Sequence, residues 1–221
     1  MPKVKEEHYE LKKLEILEAA KRVASRKPIY HVTMRDVVLE AGMSQGGVYK
    51  YFSNIDELFA ALLGQNSLTS EVKSEIDAIF EEDKDPMIVL RDFLDYVGAF
   101  IETSVNGSGK IIHELIAFYA NEPERFEKVS SQLLQASTLD YLQKKFIRFL
   151  QVQVDANRFQ PAVPLEEAIA FIATAINGIT HDALMAQNAV YARNLMPAPK
   201  IQRLMNTLYI AMSSILGAVK P

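Results

Sequence analysis

The chain has 221 residues, 49% of them hydrophobic and 24% charged, a balance that is ordinary for a soluble globular protein with a sizeable core. Cysteine is absent, which excludes disulfides and cysteine-based metal sites and fits a reducing cytoplasm. The net charge of −4 does not exclude nucleic-acid binding, because the sequence to Asp56 holds ten Lys/Arg against eight Asp/Glu and the remainder holds fourteen against twenty.

A first helix is predicted from about Glu7 to Ser25, because its apolar residues recur at helical spacing. Its apolar face consists of Ile16, Ala19, Ala20 and Val23. Cations lie along the helix, where they fit either a solvated surface or contact with an anionic partner. Lys3 and Lys5 precede it as a candidate flexible arm that reaches DNA, and Pro28 ends it.

The stretch from Thr33 to Phe52 predicts two short helices joined by a tight turn. The first helix has apolar residues at i, i+3, i+4 and i+7, namely Met34, Val37, Val38 and Ala41. Thr33 is its candidate N-cap, with Asp36 in the position of a capping-box acid. Gly42 follows, where the chain needs a positive φ to end one helix and start another at a steep angle.

Ser44 is the expected N-cap of the second helix. Val48 and Phe52 fall on a face for the core, and the opposite face carries Gln45, Gly46, Tyr49 and Lys50. Successive glycines, here Gly46 and Gly47, cost about 1 kcal/mol each relative to alanine in a helix. Close approach of the backbone to another surface is the expected compensation. We interpret the two helices as a DNA-reading device.

This motif and its continuation, AGMSQGGVYKYF followed by SNIDELF, resemble the helix-turn-helix signature of the TetR family of bacterial transcriptional repressors. That signature is roughly T-x-x-x-I-A-x-x-A-G-V-S-x-G-x-x-Y-x-H/Y-F-x-S/N-K-E-x-L, and the match runs without gaps from Thr33 to Leu58. Val37-Val38 and Met43 replace Ile-Ala and Val of the family and stay apolar. Ile55 stands where the family usually has lysine, which removes a positive charge and the phosphate contact that such a lysine makes.

The resemblance implies two domains, a three-helix DNA-binding head at residues 1–56 and a ligand-binding and dimerisation domain at residues 57–221. A helix-turn-helix dimer places two recognition helices in successive major grooves about 34–36 Å apart, so the double-stranded DNA target should be a palindrome. We expect Gln45 and Lys50 to reach base edges, since glutamine pairs with adenine and lysine donates to guanine.

The remaining candidate DNA contacts are to phosphates or depend on close backbone approach. They are Thr33, Arg35, Ser44, Gly46, Gly47, Tyr49 and Tyr51. Two alternatives stay open: Tyr51 could be a core aromatic residue beside Phe52, and Arg35 could form a surface ion pair with Asp36 or Glu40.

Beyond the motif the body is predicted to be all-α, since no strand pattern appears. A long connecting helix, capped by Ser53 or Asn54, is expected to reach Phe80. Pro86 fits the first position of a broad apolar helix that ends at VNGSGK, residues 105–110, which lacks the spacing of a Walker A loop. A short helix at residues 111–120 and a long one from about Glu124 towards Pro161 follow.

The last two predicted helices, residues 165–186 and 201–218, carry apolar residues separated alternately by four and three positions, which is a heptad seam. Either helix alone could line the monomer core. Because Phe171, Met205, Met212 and Leu216 flank the seam, we predict that the pair packs against its symmetry mate in a homodimer, as the TetR resemblance also implies. The predicted interface consists of Ile169, Ile172, Ile176, Ile179, Leu204, Leu208, Ala211 and Ile215.

The resemblance further implies a small, partly apolar inducer in the C-terminal body, whose binding changes the separation of the reading heads. The candidate cavity residues are Phe93, Tyr96, Phe100, Phe118, Tyr119, Phe146 and Phe149, with His113, Asn177 and His181 as polar contacts. An aromatic stripe at helical spacing is otherwise core, and either histidine could be a satisfied structural residue. No cofactor or metal is expected.

Two other classes of function were open to this composition, a helical enzyme and an adaptor that binds only protein. Acidic pairs such as Glu81-Glu82 and Glu166-Glu167 lie near helix starts, where the helix dipole favours acids, and no H-E-x-x-H, G-x-S-x-G or Glu-x-x-His motif is present. No apolar run approaches the roughly 18 residues that span a bilayer, and the charged start does not fit a signal peptide. We therefore expect a cytoplasmic DNA-binding repressor, not an enzyme, without a membrane partner.

Overall fold

The computed structural model describes residues 2–65, 68–81, 83–133, 138–186 and 200–217, and in these residues the regular structure is helical. The α-helices in chain order are α1 (Pro2–Arg26), α2 (Met34–Ala41), α3 (Gln45–Tyr49), α4 (Ile55–Gly64), α5 (Ser70–Ile79), α6 (Pro86–Asn106), α7 (Gly109–Ala120), α8 (Pro123–Leu133), α9 (Thr138–Asp155), α10 (Leu165–Met185) and α11 (Ile201–Leu216). A 3₁₀ turn, Ile29–His31, joins α1 to α2. The predicted all-α fold is confirmed.

Packing divides the chain into two compact units, each built from separated segments. The first combines Met1–Ser67 with Ser108–Gln135, and the second combines Leu68–Gly107 with Ala136–Pro221. The division expected at residue 56 concerned function and stays a prediction. As a packing unit, the reading head also contains α4, α7 and α8.

The first unit has one apolar core, to which α1, α2, α3, α4 and α7 all contribute. Ile16, Val37 and Val48 are fully buried there, and so is Leu115 of α7. The apolar faces predicted for the first three helices are therefore correct. The flexible arm expected at Lys3 and Lys5 is wrong, because the backbone is already helical from Pro2 onward.

The second unit is built on α6, α9, α10 and α11. Phe93 of α6 and Phe146 of α9 stack face to face, with ring centroids 3.8 Å apart and an interplanar angle of 5°. Helix α11 approaches α6 closely at Gly98, where a Cβ atom would lie 3.0 Å from the side chains of Gln202 and Met205. A side chain at position 98 would therefore fit only if Gln202 and Met205 moved by a few tenths of an ångström.

Two predicted helices are interrupted. The connecting element expected to reach Phe80 ends at Gly64, and α5 starts afresh at Ser70, because the Thr69 hydroxyl accepts the Val72 N–H at 3.3 Å and caps a new helix. The long helix expected from Glu124 is described as α8 and α9, which belong to different units. Residues 134–137 between them, and the breaker predicted at 195–199, lie outside the described residues.

Helix α10 is long and apolar enough, by length and composition alone, to cross a membrane, which corrects the expectation that no segment qualifies. Only 22% of its most apolar window is buried within the chain. A buried core helix would satisfy the same hydropathy test but would be covered by its own protein. The apolar surface of α10 thus extends beyond what this chain covers.

Candidate nucleic-acid interface

The turn between α2 and α3 has the local structure that the sequence predicts. Thr33 and Asp36 form a reciprocal capping box at the start of α2. Gly42 ends that helix in the left-handed region, with φ of 64°, where a side chain would be strained. Ser44 then caps α3, its Oγ accepting the Gly47 N–H at 3.1 Å. The orientation of α3 is therefore fixed at its N-terminus by side-chain and backbone geometry together.

Helix α3 has a buried side and an open side, as predicted. Val48 and the following Phe52 are 0% and 1% exposed, whereas Gln45, Tyr49 and Lys50 are exposed. A side chain added at Gly46 would meet no atom within 4 Å. Internal packing therefore does not require glycine at position 46.

The second glycine differs from the first. A Cβ atom at Gly47 would lie 3.1 Å from the Ser44 Oγ and 3.5 Å from the Met43 Cε, so the cap of α3 itself limits the space there. Packing within the chain thus explains the glycine at position 47. The free space at Gly46 has no such explanation, and it would let the backbone of α3 approach another molecule closely.

Tyr51 is half-buried and packs against the core of the first unit without being one of its buried residues. Its ring packs on Tyr9 of α1, with centroids 4.6 Å apart and an angle of 36°, and the Lys50 Nζ lies 6.0 Å from its centroid. The alternative of a core residue beside Phe52 is therefore not observed. Tyr51 instead ties the end of α3 to the first helix.

Several cations of the head are paired with carboxylates. Arg22 and Arg26 both bind Glu40, and Lys27 binds Asp36 at 2.7 Å. These pairs occupy the two acids considered as partners for Arg35, and Arg35 makes no ion pair within the described part of the chain. Its guanidinium is exposed on α2 and free to meet an anion.

Asp36 connects the capping box to Lys27, the residue that follows α1. The hydrogen bond from Lys27, followed by that from the Thr33 hydroxyl, lowers the pKa of Asp36 to about 2. The Thr33 hydroxyl donates its proton to Asp36 at 2.7 Å, and the Thr33 N–H donates to the same oxygen at 2.9 Å. Both donors of Thr33 are thus used inside the head.

A contact that the sequence did not reveal supports the head from α7 and α8. Arg125 donates from Nη2 and Nε to Asp56 at 2.7 and 3.3 Å, and the Tyr119 hydroxyl donates to the same carboxylate at 3.1 Å. Burial, and then the charge of Asp56, raise the pKa of Tyr119. The Ile29 N–H also donates to Glu114 at 3.2 Å. The partners are up to 85 positions apart, so helical spacing gave no signal for them.

The residues predicted to hold an inducer are divided between the two units. His113, Phe118 and Tyr119 belong to the first unit, and the others to the second. There, Phe93 and Phe146 are core residues at 4% and 3% exposure, Tyr96 and Phe100 are half-buried, and Asn177 and His181 are exposed on α10. Of the aromatic residues predicted for the cavity and found in the second unit, Phe149 lines an open cleft.

The predicted dimer residues also divide. Ile172 and Leu208 are buried in the second unit at 2% and 5% exposure, so they line its own core. The flanking residues Met205, Met212 and Leu216 are fully buried there as well, whereas Phe171 is 46% exposed. The remaining members are Ile169, Ile176, Ile179, Ala211 and Ile215, which are half-buried, and Leu204, which is 37% exposed.

Comparison with known proteins assigns the first unit a family. Residues 16–62 match the family model of bacterial regulatory proteins of the tetR family. The HTH-type transcriptional regulator YfiR of Bacillus subtilis is 33% identical over 184 residues, which cover 83% of this chain and 85% of the relative. The HTH-type transcriptional repressor Rv1474c of Mycobacterium tuberculosis is 25% identical over 181 residues, 81% and 86% of the two chains.

Solved structures share the fold. A TetR transcription regulator from Haloarcula marismortui superposes with a TM-score of 0.63 at 19% identity, covering 93% of this chain and 98% of the other. SmeT in complex with triclosan gives 0.54 at 17% identity, covering 91% and 90%. With the match to YfiR over most of both chains and the helix-turn-helix described above, the protein belongs to the TetR family, whose members are DNA-binding transcriptional regulators and not enzymes.

Proposed function

We propose that this regulator is a cytoplasmic repressor that binds a palindromic operator as a homodimer and leaves it when a small molecule binds. The observation that carries the proposal is the open side of α3, where Gln45, Gly46, Tyr49 and Lys50 lie exposed on a helix whose other side is fully buried. The Mycobacterium tuberculosis relative bears the name of a repressor, which supports the direction of regulation.

The DNA contacts are assigned to exposed groups whose charge or hydrogen-bonding capacity is not used within the described residues. Gln45 and Lys50 are assigned to base edges, since both are exposed and have the donors and acceptors that the major groove presents. Arg35 and Ser44 are assigned to phosphates, because the guanidinium is unpaired among the described residues and the Ser44 hydroxyl proton is not used by its cap. Tyr49 and Tyr51 complete the phosphate contacts. Thr33 is left out because its donors bind Asp36.

The homodimer is supported by uncovered apolar surface on the last two helices. Phe171 is 46% and Leu204 37% exposed, and a side chain at Gly178 would meet nothing within 4 Å, so another helix has room to approach. The proposed interface therefore keeps the half-buried and exposed members of the heptad seam, adds Phe171, and gives Ile172 and Leu208 to the core of the chain itself.

Two observations support ligand control: an open cleft in the second unit, and a structural neighbour that was solved with a small molecule. SmeT was solved with triclosan, a small organic molecule. In this chain we assign the ligand to the second unit, where an open cleft borders Phe149. An adaptor without DNA specificity is the remaining rival, and it would leave the exposed face of α3 without a role.

The test is binding to the DNA upstream of the protein's own gene, measured by fluorescence anisotropy beside a random duplex. Gln45→Ala and Lys50→Ala should each lose about 1–3 kcal/mol on the specific site and change the preference at particular base pairs. Lys144→Ala on α9 is the control, since its side chain is 73% exposed in the second unit. Equal weakening on specific and random DNA would show that these residues do not read bases. An absence of salt-sensitive specific binding to candidate promoters would favour the adaptor.

A further inference from the structure

The second unit contains an open cleft of about 450 Å³, between the end of α5, the start of α6 and the face of α9. Its apolar side is formed by Phe80, Val89 and Phe149, and the rings of Phe80 and Phe149 lie 5.9 Å apart. Behind them, the ring centroids of Phe80 and Phe93 lie 6.2 Å apart, so the aromatic core of the second unit supports this wall. The volume falls in the range of small-molecule sites.

One side chain in the cleft is incompletely satisfied. Gln153 is only 6% exposed, and its Oε1 is buried without a hydrogen-bond partner among the residues that the structure describes. Its backbone carbonyl accepts the N–H groups of Arg158 and Phe159 at 2.9 and 3.2 Å, which fixes the residue at the end of α9. A buried acceptor without a donor is unfavourable, so a molecule that brings an O–H or N–H group to this point is favoured.

The cations of the cleft are not equivalent. Lys84 and Lys145 bind Asp92 and Asp77, at 3.4 and 2.7 Å. Arg148 and Arg158 are exposed and make no ion pair in the part of the chain that the structure describes.

The acids of the lining are Glu81 and Asp83, both between α5 and α6, whereas Arg148 and Gln153 come from α9 and Arg158 from the turn after it. The α9 side of the cleft is thus positive and presents guanidinium groups, which suit a carboxylate or sulfonate.

We propose that this cleft binds a small amphipathic organic anion: an apolar, preferably aromatic, body against Phe80 and Phe149, an acidic group at Arg148 and Arg158, and a hydrogen-bond donor at Gln153. This inference rests on the proposed ligand control and gives its ligand a chemical class. Neither a purely apolar molecule nor an inorganic anion would satisfy all three features, because the first leaves the arginines and the second leaves the aromatic wall without a partner.

The experiment uses two fluorescent probes that differ in one group. 1-Anilinonaphthalene-8-sulfonate has an aromatic body, an N–H donor and a sulfonate, and N-phenyl-1-naphthylamine has the same body and donor without the sulfonate. Fluorescence titration of the full chain should give tighter binding of the sulfonate probe. Arg148→Gln and Arg158→Gln should each weaken that probe about fivefold or more and leave the neutral probe within about twofold.

Two further variants separate the site from general effects on the fold. Gln153→Leu should weaken both probes without lowering the unfolding temperature, because the lost acceptor had no partner. Lys144→Gln, on the same helix but outside the cleft, should change neither probe. Unchanged sulfonate affinity in both arginine variants, or equal loss of both probes in them, would overturn the proposal.

Repeating the titration with operator DNA present separates two questions: whether the cleft binds the probe, and whether that binding releases the protein from DNA. Sulfonate binding that depends on Arg148 but leaves operator affinity unchanged would support the cleft and contradict release by this ligand. Intact probe binding by a protein that shows no specific DNA binding would likewise support the cleft while the repressor proposal fails.

Discussion

At the scale of single residues, the two N-caps of the reading motif, Thr33 and Ser44, both use a side-chain hydroxyl, but the two hydroxyls form different hydrogen bonds. The Thr33 hydroxyl both donates to and accepts from Asp36, whereas the Ser44 Oγ accepts from Gly47 and donates to no group in the described part of the chain. The Thr33 hydroxyl is therefore used in the cap in both directions, whereas the Ser44 hydroxyl keeps a proton that the proposed phosphate contact would use. Local spacing predicted both caps, but only the geometry shows which of them is free.

The Asp36 carboxylate makes the stability of the head depend on pH. Its folded pKa of about 2 lies below the ordinary value of 3.8, because Lys27 and then Thr33 donate to the charged form. Its stabilisation is present above about pH 4 and is lost as the pH falls towards 2. In urea unfolding between pH 5 and 2, Asp36→Asn should show a shallower acid loss than the parent chain. Parallel curves for the two proteins would contradict this assignment.

Gly46 is a second residue whose environment gives a direct expectation. Its backbone is helical and open, so Gly46→Ala should stabilise the free protein by up to about 1 kcal/mol. If α3 approaches the groove closely there, the same change should weaken operator binding. Gly47→Ala is the comparison, since its Cβ would press on the Ser44 Oγ at 3.1 Å and should not stabilise. Urea unfolding measures the stability of both variants, and fluorescence anisotropy measures their affinity for the operator. Unchanged operator affinity in Gly46→Ala would contradict a close approach of α3 to the groove.

At the scale of helices, α4 and α8 are joined by a charged contact rather than by apolar packing alone. Asp56 lies in the first turn of α4 and receives both Arg125 of α8 and Tyr119 of α7. The Arg125 guanidinium also lies 4.7 Å from the Phe118 ring centroid. The carboxylate thus fixes three helices of the first unit at one point.

In the ion pair between Arg125 and Asp56, replacing Arg125 alone should lower the free energy of unfolding more than replacing both residues. Arg125→Met keeps an unbranched apolar stem and leaves Asp56 without its cation, which should lower the free energy of unfolding by about 1–2 kcal/mol. Adding Asp56→Asn should recover part of the loss, a coupling that a double-mutant cycle in urea measures. Simple additivity of the two changes would mean that the ion pair contributes nothing to stability.

The helices also show which features could be predicted from the sequence and which could not. Helix starts and buried faces could be predicted, since caps such as Thr33 and apolar spacings such as Val48 with Phe52 involve residues three or four apart. Periodicity identifies an apolar face but not the neighbour that covers it. For that reason Met205 and Met212 were expected beside the seam and are core, and the Asp56 contact, spanning 69 positions, left no pattern.

At the scale of the whole molecule, the uncovered face of α10 predicts how the protein assembles. Phe171→Asp should place a charge in the proposed interface and shift the protein from dimer to monomer at micromolar concentration, as measured by sedimentation velocity. Ile88→Asp is the matched control, because Ile88 is 53% exposed on α6 and outside that interface. A parent chain that sediments as a monomer, or a dimer unaffected by Phe171→Asp, would contradict the proposed arrangement.

The first unit is discontinuous in sequence, and this has a consequence for how the protein is made. Its core requires Ile111, Leu115 and Tyr119 of α7, while residues 68–107, which are synthesised in between, belong to the other unit. The chain passes from one unit to the other three times. On the ribosome, the reading head therefore cannot complete its core when α4 emerges and must wait until α7 has left the exit tunnel. The helix-turn-helix segment is therefore translated before α7, yet the core that supports it is complete only once Ile111, Leu115 and Tyr119 have emerged.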